Sequence, residues 1–184
     1  MNKTTIIILV VVALLAVFGF SSYNGLVGAN ESVNGKWSQI ENQLQRRSDL
    51  IPNLVNTVKG FAAQEKEIIQ SVADARSKLA GANGPAAKAQ ANGELNGALS
   101  RLLVVVENYP QLKSDANFRQ LMDELSGTEN RIAVARQDYN NAVQSFNTKI
   151  RSFPTNMFAG MMGFGPKEYF KAEEGAKQVP QVKF

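Results

Sequence analysis

YNGLVGANESVNGKWSQIENQLQRRSDLIPNL, residues 23–54, carries a seven-residue rhythm. Tyr23, Asn30, Trp37, Leu44 and Ile51 form one series, and Leu26, Val33, Ile40, Arg47 and Leu54 form the other. Two such series offset by three residues are the a and d positions of a helical seam, so this stretch predicts a long helix that packs along one edge. A second seam lies late in the chain: Leu125, Ile132, Tyr139 and Phe146, interleaved with Glu129, Arg136, Val143 and Ile150. Between the seams, Glu65 to Leu79 and Glu94 to Val106 are rich in Ala, Leu, Val and helix-favouring charged residues, and they predict two further helices.

Breakers between these segments supply the turns. Gly81-Ala82-Asn83-Gly84-Pro85 joins a terminal Gly to a Pro suited to a first helical turn. Tyr109-Pro110 ends the third helix, and Ser114-Asp115 caps the fourth. Ser48-Asp49-Leu50-Ile51-Pro52 has two readings, because Ser48 or Asp49 can cap a new helix while Pro52 can also kink a continuous one. A turn there gives helices near 22–48, 50–81, 85–108 and 114–152. The predicted fold is all-α: an antiparallel up-and-down four-helix bundle with long coiled-coil-like helices, the alternative being a long kinked helical hairpin.

Upstream, Thr4 to Phe20 reads TTIIILVVVALLAVFGF and contains no charge. As a helix it extends about 25 Å, enough to cross a bilayer core. It predicts a transmembrane anchor over residues 1–21, with a cleaved signal peptide as the competing reading. Lys3 is the basic residue on the N-terminal side, and the next one on the other side is Lys36, a bias that places the N-terminus in the cytoplasm and the body outside it. The body spans 22–152. Residues 153–184 form an irregular tail in which Met157, Phe158, Met161, Met162 and Phe164 alternate with Gly and show no helical period. An even number of helices returns the chain toward the membrane, so this segment is expected to touch lipid or a neighbouring subunit, or else to seal the end of the bundle. The last residues, from Val179, alternate like a short extended piece laid on the bundle.

Composition narrows the function. The chain has no His and no Cys, which excludes Ser-His-Asp and Cys-His catalysis, imidazole or thiolate metal sites and disulfides. No Ser is followed three residues later by Lys, and no GxxxxGK phosphate loop occurs. The net charge of +4 comes from 20 basic and 16 acidic residues that are interspersed rather than gathered in a stripe, which argues against nucleic acid as a partner. Carboxylate pairs such as Glu65 with Glu67 and Asp123 with Glu124 lack the spacing of a cation loop and read as solvated faces. No cofactor is expected.

The stretches WSQIENQLQRRSDLIPNLV (37–55), ENYPQLK (107–113) and ENRIAVARQDYN (129–140), with the terminal Val182-Lys183-Phe184, resemble the bacterial LemA family in order and spacing. The resemblance implies an N-terminal membrane anchor followed by an antiparallel four-helix bundle. It brings no enzymatic activity, cofactor or catalytic residue.

If the first and last helices run antiparallel with Tyr23 level with Ser152, Arg47 falls opposite Glu129, and Trp37 falls at the level of Tyr139 and Arg136. These five residues are read as a structural network, because charges on a seam must be paired to offset desolvation. Asn30 and Asn147 are read as register-setting polar residues. Two functions compete: a non-enzymatic membrane-anchored scaffold or interaction module of the cell envelope, contacting membrane proteins or its own copies, and a bundle that senses a ligand and signals to a membrane partner.

Overall fold

One helix, α1, runs from Lys3 to Phe61, a length of about 88 Å at 1.5 Å per residue. In the computed structural model, which describes residues 2–171, it passes from the apolar run into the first seam without a break. An 18-residue window near its start has a mean hydropathy of 2.7 and none of it is buried, so this end has the length and apolarity of a membrane span. Four more helices follow: α2 (Lys66–Gly81), α3 (Gly84–Val106), the single turn α4 (Pro110–Ser114) and α5 (Ala116–Arg151). A short 3-10 turn, Thr155–Met157, comes after α5, and no strand occurs among the described residues.

The turn expected at Ser48–Pro52 does not form. Pro52 lies inside α1, and the chain turns at residues 62–65 instead. The predicted helices at 22–48 and 50–81 are therefore redivided, with residues 50–61 completing α1. The physical reason is on the neighbouring helix. Pro52 has no N–H to give the carbonyl four residues earlier, which is that of Ser48. Arg76 of α2 supplies the missing donor, its Nε standing 2.9 Å from the Ser48 oxygen. With that carbonyl satisfied, and Ile51 and Leu54 buried on the seam, continuing the helix costs little.

The remaining boundaries follow local chemistry. Asp115 accepts a hydrogen bond from the Phe118 backbone N–H at 2.8 Å and starts α5 as an N-cap. Gly84 sits at φ +80°, where a side chain would be strained, and Pro85 follows in the first turn of α3. At the far end Tyr109 joins the two loops. Its hydroxyl donates to Glu65 Oε1 at 2.7 Å and accepts from Gln64 Nε2 at 2.8 Å, so Glu65 serves a loop-to-loop contact and not only a solvated face.

α1 and α5 form an antiparallel hairpin in which Lys36 meets Asp138 at 2.7 Å and Trp37 meets Tyr139. α2 and α3 pair with each other and lie on the part of α1 far from its apolar run, where they complete the four-helix bundle. The α2–α3 turn reaches the level of Glu41 to Gln45, which line a cleft with Leu79, Ala80 and Lys88. Closer to the span, the hairpin is covered by something else. After the turns that follow Arg151, residues 164–170 run back along it as an extended segment. The core is continuous through both parts, from Leu26 and Phe146 to Leu54, Leu95 and Leu112.

Candidate functional site

Arg47 occupies a seam position on α1, and its side chain is only 4% exposed. A guanidinium placed there must find acceptors. Its Nη1 donates to Asn92 Oδ1 at 3.0 Å and to Glu129 Oε2, and its Nη2 donates to Asn96 Oδ1. Burial pulls the Arg47 pKa below its usual value, and the attraction of Glu129 opposes that shift. Glu129 is 42% exposed, so the pair runs from the core out to solvent.

The node joins α1, α3 and α5 at one point. Beside it, Arg47, Asn96, Ser100, Ser126, Glu129 and Asn130 contribute to a cleft of about 330 Å³ between α3 and α5. Its walls also carry Leu99, Leu103, Met122 and Leu125. This is a polar-floored surface cleft rather than an apolar cavity sealed inside the bundle.

The seam rhythm does not mark Asn92 and Asn96, yet a signal exists. Asn92-Gly93-Glu94-Leu95-Asn96-Gly97 puts four poor helix formers in the middle of α3, at a cost of roughly 0.5–1 kcal/mol each relative to Ala. Two Asn residues four apart share one helix face, and both use it for the same arginine.

Arg136 is half-buried, and no ion pair among the described residues includes it, so it does not join the Arg47 node. Trp37 is partly rather than fully buried. Its ring lies 5.4 Å from that of Tyr139 and 6.2 Å from that of Phe170, which makes an aromatic cluster where the extended segment meets the hairpin. Tyr139 is 3% exposed and donates through its hydroxyl to the Glu168 carbonyl at 2.8 Å. Desolvation raises its pKa, with the Glu168 charge adding to the effect.

Asn147 does not set helix register as a buried coiled-coil Asn would. Its Nδ2 donates to the Lys167 carbonyl at 2.9 Å, and its Oδ1 accepts from the Lys167 N–H at 2.8 Å. Asn140 repeats the arrangement with Phe170, at 3.0 and 2.9 Å. Each side-chain amide thus imitates a neighbouring strand, so the segment expected to be irregular is fixed by paired bonds. Asn30 is half-buried and reaches only Glu31. The expected placement of Val179 to Phe184 lies outside the described residues.

Of the apolar tail residues, Met157 and Met161 are 61% and 78% exposed, and Phe158 stands at 36%. Met162 and Phe164 pack against the core instead, with the Phe164 ring 5.9 Å from Tyr23 and 6.2 Å from Phe146.

Fold and site together define an all-helical protein whose first helix has the dimensions of a membrane span and continues as the backbone of an antiparallel bundle. Residues 36–184 match the model of the LemA family. The chain belongs to the LemA family. It is 32% identical to magnetosome protein MamQ 2 of Paramagnetospirillum magneticum over 95% of this chain and 75% of that relative. To magnetosome protein MamQ of Magnetospirillum gryphiswaldense it is 30% identical over 87% of this chain and 68% of the relative. To protein LemA of Metamycoplasma hominis it is 25% identical over 82% and 69%.

Proposed function

We propose that the protein is a non-enzymatic scaffold of the bacterial cell envelope, held by one pass of α1 with its N-terminus in the cytoplasm and its bundle outside. The observation that carries this reading is the continuity of α1, which makes the span and the core of the body one rigid element. Such an element sets the height and direction of whatever the bundle holds. One hydrophobic core runs through the bundle, and Leu103 and Val104 on α3 and Val134 on α5 stay 40%, 71% and 62% exposed, positions at which another protein or a second copy could rest. Two of the relatives are named as magnetosome proteins, which is compatible with a role at a cellular compartment.

The cleft beside Arg47 favours a second reading, a ligand-sensing bundle in which a small polar molecule settles between α3 and α5. Photo-crosslinking residues placed at Val104, Val134 and Ser77 in living cells separate the two. A scaffold gives a discrete protein adduct confined to one of these faces and recovered when the identified partner is itself purified. If no position gives an adduct and polar metabolites raise the melting temperature in a manner abolished by Asn96→Leu, the sensing reading replaces the scaffold. Labelling of Ser77→Cys by a membrane-impermeant maleimide in cells with a sealed inner membrane checks the orientation; labelling only after lysis reverses it.

A further inference from the structure

Below α5 the chain stays with the bundle, turning through Thr155–Met157 and on to Gly163 before running back along the hairpin. Met162 lines an apolar hollow of about 570 Å³ with Gly19, Phe20 and Tyr23. The turn therefore stands beside the last residues of the apolar run of α1. Within this turn Phe153, Met157 and Met161 are 80%, 61% and 78% exposed, and Phe20, which shares the hollow with Met162, is 74% exposed. Three large apolar side chains left exposed within nine residues, beside an exposed apolar helix, are what a contact surface requires. Here the surface is continuous with a helix stretch that already has the character of a span.

We propose, on the reading that α1 is the anchor, that the turn from Phe153 to Met161 is a second membrane contact. Phe153, Met157, Phe158 and Met161 enter the boundary between headgroups and acyl chains in the leaflet from which α1 emerges, while Met162 and Phe164 hold the turn to the bundle. Unbranched Met side chains adapt to an irregular lipid surface. A single span leaves a rod free to rotate about its axis and to tilt. A second contact, displaced from the first by about one helix diameter, roughly 10 Å, fixes which face of the bundle points along the membrane.

The chain has no cysteine, so single probes can be placed in the full-length protein. Met161→Cys, Leu9→Cys and Ser77→Cys are each labelled with an environment-sensitive fluorophore and reconstituted into phosphatidylcholine vesicles containing a lipid spin-labelled near the headgroup. The expected result at position 161 is a blue-shifted emission, several-fold stronger quenching by the spin-labelled lipid than at position 77, and protection from aqueous iodide. Position 9, quenched by lipid labelled deeper in the chain, reports the anchor separately. If position 9 is quenched while 161 behaves like 77, the turn lies in water and the second contact is wrong. Disulfide formation between copies through position 161 overturns it too, because a second protein then covers the patch. Loss of quenching at position 9 removes the anchor reading and this inference with it.

Discussion

The distal and proximal halves of the α1–α5 hairpin share one seam but are covered in different ways. Around Arg47 the cover is the α2–α3 helix pair, joined to α1 through a buried guanidinium and to its carbonyl at Ser48. Around Phe146 it is an extended segment clamped by Asn140 and Asn147. Helices satisfy their own backbone and bring only side chains to an interface. An extended chain brings unsatisfied N–H and C=O groups, so the surface that receives it must offer amides. The difference teaches that the polar residues on a seam report the kind of neighbour a helix has.

The largest effect is expected where a charge is buried. Glu129→Ala strips Arg47 of its counterion and should cost about 2–4 kcal/mol, between the surface-pair and buried-pair ranges because Glu129 is half-exposed. Thermal and urea unfolding of the full chain in detergent would measure it, and a loss near zero would mean that Asn92 and Asn96 alone satisfy the guanidinium.

Next comes the proximal clamp. Asn147→Leu leaves the Lys167 N–H and carbonyl without partners, a cost of roughly 1–3 kcal/mol. The damage should stay local: trypsin cuts faster at Lys167 while amide exchange in α2 and α3 is unchanged. If α2 and α3 loosen as well, the two halves form one cooperative unit.

A smaller effect isolates the Pro52 compensation. Arg76→Ala should destabilise by about 1 kcal/mol in the natural chain and by clearly less in a Pro52→Ala background, where residue 52 regains an N–H for the Ser48 carbonyl. Equal losses in the two backgrounds would show that Arg76 acts by other contacts.

The smallest concerns the tip. The hydrogen bond to Glu65, with lesser help from burial and the Glu65 charge, raises the Tyr109 pKa above its ordinary 10.0. A raised folded pKa means that the contribution is complete below the ordinary value and is lost as pH climbs through the folded one. The melting-temperature gap between the natural chain and Tyr109→Phe should therefore hold steady from neutral pH to about pH 9 and shrink above pH 10. A gap that does not change over that range would mean that the Tyr109–Glu65 bond adds nothing to stability.

Features that depend on neighbours along the chain or on periodicity are legible in the amino-acid order. The apolar run, the two seams, the breaks around Gly81–Pro85 and Tyr109–Pro110 and the Asp115 cap are all local signals, and the facing of Arg47 with Glu129 followed from the antiparallel register of the seams. The rest emerges with packing, because each case turns on a donor or acceptor distant in sequence. Pro52 stays helical because Arg76 of another helix reaches its orphaned carbonyl. Asn147 binds chain and not helix because Lys167 passes beside it, and Arg136 stands outside the node, in no ion pair among the described residues. Periodicity gives the face of a helix and the level of a residue on it, whereas hydrogen-bond partners depend on which backbone arrives at that level, and arrival is settled only when the whole chain packs.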